Sequence, residues 1–315
     1  MYRFKKTLRV VIPSVFFVLI FMLLAMATAF LAPRVYAAQC VPPGKSEMVV
    51  VTQVYDGDTL RLRDGRRVRL LGINTPELGR GNKPDEPFAR QAKQAVEDFL
   101  AGESHVFLYT ETETQDRYGR HLAYLFKRAP SEFKRAPSGF KRVPSGFKKA
   151  QEGFKDASNR ANLSLGKTLL TSGLAYHVAI PPNLHLAACF AEAEKKAQRF
   201  KRGLWGPGGI APVEVETVSK GGYQRIRGKV SRVTLKGAWW INFGDGFTAV
   251  IYPEHQRYFD AEVVQGWQGS RLEVEGWVYR SRYKGKPQWR VKLGTPYSVT
   301  DISHKGMSKN ALFSR

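Results

Sequence analysis

A pair of aspartates at a predicted strand junction has the composition of a site for a hard cation. Asp56 and Asp58 flank Gly57 and are followed by Thr59. Carboxylate oxygens suit Mg²⁺ or Ca²⁺ better than Zn²⁺, because hard cations prefer oxygen ligands. The same arrangement is common in turns, where an aspartate accepts hydrogen bonds from nearby backbone amides. Both interpretations stay open at this point.

Two arginines and a further carboxylate add the other groups that phosphodiester chemistry requires. A predicted strand that contains Arg69 is followed by Asn74, Thr75 and Glu77, and Arg120 begins a later strand. Guanidinium groups bind phosphate in a bidentate manner, and a carboxylate can deprotonate an attacking water. Taken together the groups form a complete set for phosphodiester hydrolysis, but each one alone is more typical of a surface salt bridge, and composition by itself does not assign them a joint role.

The composition favours a polyanionic partner. The 315 residues include 50 Lys and Arg against 27 Asp and Glu, which gives a formal net charge of +23. Such an excess attracts polyanions by Coulombic steering and counterion release. Nucleic acid and acidic membrane are both consistent with it, and a solubility role is the alternative.

The N-terminus has the pattern of an export signal. Residues 1–9 include four basic residues and no acidic one, and no charged residue occurs from 10 to 33. Val35-Tyr36-Ala37 then resembles a leader-peptidase site. Residues 1–37 are therefore predicted to be a signal peptide. Because the apolar run is long enough to span a bilayer, an uncleaved membrane anchor is the alternative. Either way the protein is expected to be secreted, periplasmic or attached to the cell envelope.

The two cysteines, Cys40 and Cys189, are candidates for a disulfide. Export to an oxidising compartment permits one. Neither cysteine has a Cys or His partner at the spacing of a metal site.

Hydrophobic patterning predicts an α+β arrangement in the first part of the chain. Val- and Leu-rich runs separated by turn residues indicate short strands, and apolar residues at helical spacing indicate helices after Pro87 and over 185–202. The predicted strands are 48–55, 59–63, 66–73, 105–109 and 120–126.

Residues 127–154 interrupt this pattern with four basic heptads, three of which carry proline at the same position. Proline every seventh residue excludes a continuous helix. We interpret the segment as a low-complexity insertion, either a tolerated expansion of a loop or an arm that contacts nucleic acid.

A second domain is predicted over 218–302, and residues 303–315 are predicted to be a disordered tail. Five strands and no helix are expected within about eighty residues, which suits a small all-β barrel. The domain resembles OB-fold nucleic-acid-binding modules. Its aromatic residues could form a stacking platform beside Arg225, Arg227 and Lys229, or could fill the barrel. The aromatic residues concerned are Trp239, Trp240, Phe243, Tyr252, Trp277 and Trp289.

Several motifs in the first part of the chain, taken in order, resemble the staphylococcal (thermonuclease-like) nuclease family. They are D-G-D-T, R-L-L-G-I-N-T-P-E, D-R-Y-G-R-H-L-A-Y, G-L-A-Y and A-E-A-E-K-K-A followed by K-R-G-L-W. The resemblance covers about 46–208 around the insertion. It implies a five-stranded OB-type barrel with three helices, and an endonuclease that hydrolyses DNA or RNA with Ca²⁺ and leaves 3′-phosphates.

The resemblance also implies roles for individual residues. Asp58 would bind Ca²⁺ directly with Asp56 as a supporting acid nearby, and Thr75 would bind it through its carbonyl. Glu77 would be the general base, while Arg69 and Arg120 would hold the scissile phosphate. Arg117, Tyr118 and Tyr176 would contact the nucleic acid.

Two departures from the family pattern concern metal and base binding. Asn74 stands where the best-known member has a second aspartate ligand, so one negative charge is lost and weaker Ca²⁺ binding is expected. The family's nucleotide-pocket tyrosines would fall near Ala179–Pro181, where this chain has A-I-P-P.

The sequence therefore predicts an exported Ca²⁺-dependent nuclease with an appended nucleic-acid-binding domain and implies no protein partner. The alternatives are a catalytically silent nucleic-acid-binding protein and a protein that uses its basic repeats at a membrane, to which the N-terminal segment could also attach it.

Overall fold

Short apolar segments at the start of the folded chain form a run of antiparallel strands. The computed structural model describes residues 40–102, 105–128, 162–244 and 246–303. A hairpin turn at Asp64-Gly65 joins two of these strands, where Gly65 has a φ of +90° and its amide donates to the carbonyl of Leu62. The first strands are β1 (Ser46–Val49), β2 (Val51–Val54), β3 (Thr59–Leu62), β4 (Arg67–Leu70) and β5 (Ile73–Asn74).

Strands β1 to β4 join later strands in a seven-stranded sheet. The later members are β6 (Val106–Tyr109), β7 (His121–Arg128) and β8 (Asn162–Ser164). The strand order is β1-β6-β7-β4-β3-β2, with β8 beside β7 and a parallel pairing between β4 and β7. Strand β7 also corrects the start of the predicted insertion, since Lys127 and Arg128 belong to it.

The α+β arrangement is confirmed, whereas the closed five-stranded barrel is not seen as such. The first and last strands of the path, β1 and β2, are separated by Val50 alone. Within the described ranges no hydrogen-bonded ladder joins these two strands. A single bent segment, β1–β2, therefore supplies the strands at both ends of this order, and in the described part of the chain the sheet does not close into a barrel.

Three α-helices pack against the first sheet. They are α1 (Ala89–Leu100), α2 (Leu165–Ser172) and α3 (Ala187–Arg199). Helix α3 confirms the prediction over 185–202 at its centre, where Phe190, Ala193 and Ala197 are buried. The predicted range extends past the helix end, where Phe200 is 55% exposed and Arg199 and Arg202 stack on its ring.

The C-terminal region forms a second sheet with its own buried apolar cluster. Its strands are β10 (Val213–Glu214), β11 (Gly222–Lys229), β12 (Arg232–Leu235), β13 (Trp239–Asn242), β14 (Phe247–Ile251), β15 (Arg271–Tyr283), β16 (Lys286–Lys292) and β17 (Val299–Asp301). Their order is β10-β11-β15-β16-β14-β13-β12, with β17 beside β15. Strands β14 and β16 run parallel.

The expectation of no helix in this region was wrong. Two short helices, α4 (Pro253–Gln256) and α5 (Ala261–Gly266), follow β14. Pro253 starts α4, and the carboxylate of Asp260 accepts hydrogen bonds from the amides of Glu262 and Val263 to cap α5. Helices of four and six residues are too short to show a helical period in the sequence.

Three features predicted from the sequence lie partly or wholly outside the described residues. They are the N-terminal leader, the insertion beyond Arg128, and the C-terminal tail after Ser303. In the part of the chain that the structure describes, no helix is long and apolar enough to cross a membrane.

Cys40 and Cys189 form a disulfide, with their Cα atoms 5.4 Å apart. The bond attaches the segment before β1 to helix α3. Next to it, an imidazole nitrogen of His185 lies 3.1 Å from the carbonyl oxygen of Val41, which makes a second contact between the same two segments.

We expect loss of this disulfide to lower the free energy of unfolding by about 2–4 kcal/mol, because the bond closes a long loop and restricts the unfolded chain. The loop spans a sequence separation of 149. Urea unfolding of the wild type and of the Cys40→Ser, Cys189→Ser double variant measures the effect. Superimposable curves, with thiol titration showing the wild type fully oxidised, would contradict the expectation.

Candidate active site

Asp58 is the most enclosed acid of the site. It lies in the turn between β2 and β3 and is 4% exposed. One carboxylate oxygen accepts hydrogen bonds from the Thr75 amide at 2.8 Å and hydroxyl at 3.1 Å, and the other accepts from the Thr59 hydroxyl at 3.1 Å. Asp58 therefore ties the β2–β3 turn to the segment that follows β5.

Asp56 has the role of a turn residue. One of its carboxylate oxygens accepts hydrogen bonds from the amides of Asp58 at 3.1 Å and Thr59 at 2.7 Å. Burial raises the pKa of Asp56, and the neighbouring charge of Asp58 raises it further. The turn interpretation of the sequence is confirmed, and the two carboxylates also form a buried pair of like charges.

Gly57 permits the close approach of the turn to its neighbours. A Cβ atom at this position would lie 2.6 Å from Cγ2 of Thr75 and 2.8 Å from Cβ of Ala92. Both contacts are far shorter than van der Waals separations. A side chain here would push the acid pair away from helix α1 and from Thr75.

We expect Gly57→Ala to lower the free energy of unfolding by about 1–3 kcal/mol, as overpacking of a well-filled site does. Gly266→Ala is the matched control, because nothing lies within 4 Å of a Cβ atom added at this helical position. Thermal unfolding followed by circular dichroism measures both variants. A Gly57→Ala protein as stable as the control would show that the turn can move away.

Arg69 bridges the acid pair and the end of β5. Its guanidinium donates to the carbonyls of Leu70 at 2.9 Å and Ile73 at 2.8 Å and to the side-chain oxygen of Asn74 at 2.9 Å. It also lies 3.2 Å from a carboxylate oxygen of Asp58, and its side chain is 13% exposed. The arginine is thus fixed by four acceptors from two segments.

Asn74 and Thr75 are placed by a short two-stranded sheet. Strand β5 pairs antiparallel with β9 (Tyr176–His177), which sets Asn74 opposite Tyr176. Asn74 and Thr75 are both buried. The main chain around Asn74 is therefore held in position from two sides, by Arg69 and by β9.

Glu77 lies where this buried segment reaches the surface. Its backbone is held by Glu86, whose carboxylate accepts from the Glu77 amide at 3.0 Å and whose amide donates to the Glu77 carbonyl at 3.0 Å. Partial burial raises the pKa of the Glu77 carboxylate, and the charges of Asp58 and Asp56 raise it further, while Arg69 opposes them. A carboxylate made more basic in this way is a better proton acceptor.

Arg120 belongs to a separate cluster at the start of β7. Asp116 accepts hydrogen bonds from the Arg120 amide at 2.9 Å and from its guanidinium at 2.7 Å. The exposed ring of Tyr118 lies under Arg117 at 4.8 Å and under Arg120 at 5.7 Å. Asp116, which fixes Arg120, was missed in the sequence, although its position four residues before an arginine was a usable signal.

The parallel pairing of β4 with β7 brings the two arginines near each other. Arg69 pairs with Leu122, two residues after Arg120. Standard strand spacings put the Cα atoms of the two arginines about 8 Å apart. Two arginine side chains can reach a common phosphate across that distance.

Tyr176 lies among protein groups rather than at an open surface. It is 4% exposed, and its ring contacts the rings of Trp205 at 5.6 Å and Tyr223 at 5.3 Å. Burial raises its pKa. In this position the ring is not accessible to a nucleotide base, so we no longer count Tyr176 among the nucleic-acid contacts.

The donors around Asp58 suit a hard cation. Within the described ranges, no group of three or more His, Cys, Asp or Glu side chains converges to hold a metal. Asp58, the side-chain oxygen of Asn74 and the carbonyl of Thr75 are all oxygen donors, which Ca²⁺ accepts in mixed sets. Burial, followed by the charge of Asp58, raises the pKa of Asp56, and a bound cation would favour the charged form of this buried acid pair.

Comparisons with known proteins match the part of the chain that carries this site. A family model described as "Staphylococcal nuclease homologue" matches residues 67–207. A thermonuclease of Staphylococcus intermedius is 29% identical over 164 residues, which are 51% of this chain and 77% of the relative. A thermonuclease of Staphylococcus hyicus is 27% identical over 158 residues, 49% of this chain and 73% of the relative. An uncharacterised protein of Bacillus anthracis is 25% identical over 159 residues, 49% of this chain and 59% of the relative.

Proposed function

Because residues 67–207 of this chain belong to the staphylococcal nuclease homologue family, we propose that the protein is an exported, Ca²⁺-dependent nuclease that cleaves DNA or RNA and leaves 3′-phosphates. The observation that carries the proposal is the arrangement around Asp58, in which Arg69 and Asn74 meet a buried acid pair beside Glu77. The arrangement combines a site for positive charge, a phosphate-binding group and a base.

The residues divide the chemistry between them. A Ca²⁺ ion held by Asp58, Asn74 and the Thr75 carbonyl would supply positive charge against the phosphate. Arg69 and Arg120 bind the non-bridging oxygens of the scissile phosphate and stabilise the negative charge that builds up on them. Glu77 takes the proton of the attacking water, for which its raised pKa suits it.

The cation site is expected to be weak and permissive. Asn74 contributes a neutral oxygen, so Asp58 supplies the full negative charge of the direct ligands, with Asp56 engaged in its turn. Affinity for Ca²⁺ falls as the number of charged ligands falls. Other divalent cations are expected to compete at similar concentrations.

We assign the nuclease domain to 46–208 and a nucleic-acid-binding domain to 218–302. The bent β1–β2 segment supports an OB-type barrel for the first domain. The parallel β14–β16 pair and the helices between β14 and β15 support an OB-like fold for the second.

Export follows from the pattern of residues 1–37 and is consistent with the disulfide, since such bonds persist in oxidising compartments. Release after cleavage of the leader and attachment to the membrane through residues 10–33 are both compatible with it.

A silent nucleic-acid-binding protein is the second candidate. It is favoured by one observation, that Arg69 is already paired with Asp58 and Asn74, as a purely structural arginine would be. The two functions differ in whether the phosphate is cut.

The test is a nuclease assay on single- and double-stranded DNA and on RNA, with Ca²⁺ or with a chelator. We expect cleavage that requires Ca²⁺, saturates only at high concentrations of the ion, and yields 3′-phosphate ends. Binding without cleavage would favour the silent protein, and cleavage unaffected by chelator would contradict the role given to the cation.

A further inference from the structure

We propose that the outer face of the second sheet is a binding track for a single strand of nucleic acid, which begins beside the catalytic segment and runs from Trp277 on β15 to Trp240 on β13. The proposal rests on the proposed function, since it gives the nuclease an extended substrate site. The expected ligand of this face is a single strand rather than a duplex, and the strand crosses the sheet from β15 toward β13.

A chain of ring contacts joins the catalytic segment to the second sheet. Asn74 lies opposite Tyr176, whose ring is 5.3 Å from that of Tyr223 on β11. Tyr223 pairs in register with Trp277, and their rings are 5.1 Å apart. Trp277 is 44% exposed. The first open ring of the track is therefore held to the segment that carries Asn74 through Tyr176 and Tyr223.

A second contact joins the loop after β16 to the first part of the chain. The hydroxyl of Thr295 donates to the carbonyl of Ala179 at 3.3 Å, just beyond β9. A Cβ atom at Gly294 would lie 3.2 Å from Cδ of Pro181, so the glycine permits this approach. The C-terminal region is thus attached to the first part of the chain at two places, within β9 and just after it.

The register sorts the aromatic residues between the two faces of the sheet. Trp240 pairs with Val250, which pairs with Lys292, so these three share one face. Phe243 lies in the apolar cluster, and Trp239 and Trp289 pack against it. The aromatic residues left for the outer face are Trp240, Tyr252, Trp277 and Tyr279.

Cations lie over these outer rings. The guanidinium of Arg290 is 5.0 Å from the centre of the Trp240 ring, and the ammonium of Lys292 is 5.4 Å from that of Tyr252. Lys292 also forms an ion pair with Glu254 at 3.3 Å. Rings on which bases stack, interleaved with cations that meet phosphates, are typical of single-strand sites. A duplex hides its base faces and cannot use such rings.

The charge of the β15–β16 hairpin supports the same partner. Residues 279–292 contain six Lys and Arg and no Asp or Glu. By contrast, Arg225 and Arg227, which the sequence suggested as phosphate contacts, both donate to Glu273 at 2.7 Å. On β11 these two arginines are therefore engaged and, of its basic residues, Lys229 alone is exposed, so most of the positive charge available to a phosphate backbone lies on the hairpin.

The size of the track sets an expected substrate length. Three strand spacings separate β15 from β13 in the order β15-β16-β14-β13, a distance of about 14 Å. Single strands occupy about 4–16 nucleotides per OB fold, and a track of this length corresponds to the lower end of that range, beyond the nucleotides at the catalytic residues. Shorter substrates are expected to be cut without using the track.

The experiment measures binding of a labelled single strand of about twelve nucleotides to the full chain carrying Glu77→Gln, in which cleavage of the strand is slowed. In this background, Trp240→Leu with Lys292→Gln should raise Kd about tenfold or more, because each stacked base contributes substantially. The matched control is Tyr258→Leu with Arg257→Gln, which removes an equivalent cation-over-ring pair, at 4.9 Å, from the helical segment. It should leave Kd within about twofold.

Three results would contradict the proposal that this face binds a single strand. They are unchanged single-strand binding by the Trp240, Lys292 variant, an equal loss of duplex and single-strand binding, or a loss of binding to anionic phospholipid vesicles with single-strand binding kept. Arg290→Gln, with its unfolding curve compared with that of the parent, repeats the test if the double variant folds poorly.

Cleavage by the chain with Glu77 intact is measured separately, so that the nuclease function and the track can fail independently. On a single strand of about twelve nucleotides, the Tyr258, Arg257 control should cleave at the wild-type rate, whereas the Trp240, Lys292 variant should require a higher substrate concentration to do so. A Trp240, Lys292 variant that cleaves as slowly as Glu77→Gln at saturating substrate would place the two residues in the cleavage site and contradict the proposal.

Discussion

Replacing Glu77 with glutamine is expected to lower the single-turnover rate of DNA cleavage by about 10²–10⁴-fold, the usual contribution of a general base. The glutamine keeps the shape of the side chain but cannot accept a proton from water. The backbone contacts with Glu86 do not involve the changed group and should persist. Quenched-flow measurement at saturating Ca²⁺ gives the rate of the chemical step.

Glu97→Gln is the matched control for this variant. Glu97 is an exposed glutamate on helix α1, so the change should leave the rate unaltered. Unfolding curves of both variants should superimpose on that of the wild type. If Glu77→Gln cleaves as fast as the control, another group serves as the base, and the role assigned to Glu77 is wrong.

Asp58→Ala is expected to lower the free energy of unfolding by about 3–5 kcal/mol, because it leaves a buried arginine without its carboxylate. The same change removes the acceptor of the Thr75 amide and hydroxyl and of the Thr59 hydroxyl. Activity should fall with it, since Asp58 is the charged ligand of the proposed cation site. Urea unfolding measures the stability.

Asp64→Ala is the control for an ion pair at the surface. Asp64 pairs with Arg66 in the β3–β4 turn, where both groups are in contact with water, and the change should cost less than about 1 kcal/mol. If Asp58→Ala does not fold, Asp58→Asn retains the shape and tests the charge alone. Equal stability losses for Asp58→Ala and Asp64→Ala would show that the contacts of Asp58 contribute little.

The groups of the site could be predicted from the sequence, but not their pairing. Asp58, Arg69 and Glu77 occur in motifs whose order indicated phosphodiester chemistry. The contact of Arg69 with Asp58 and Asn74 depends on how β4, β5 and the β2–β3 turn meet in space. The buried position of Tyr176 depends on Trp205 and on Tyr223, which belongs to a sheet formed by a distant part of the chain.

The second sheet shows the same limit on a larger scale. Adjacent tryptophans such as Trp239 and Trp240 are certain to point to opposite faces of a strand. Which of them faces the core is decided by the register with β14 and β16, which involves residues far away in the chain. The strands themselves were predictable from local composition, while the two short helices lacked a visible period.

The most direct measurement of the central claim is the appearance of 3′-phosphate ends when the purified protein is incubated with single-stranded DNA and Ca²⁺, beside Glu77→Gln purified in the same way. We expect the wild type to produce these ends, a chelator to abolish them, and the variant to produce them at least about 100-fold more slowly. Equal production by both proteins, or production that continues in chelator, would contradict the proposed nuclease function.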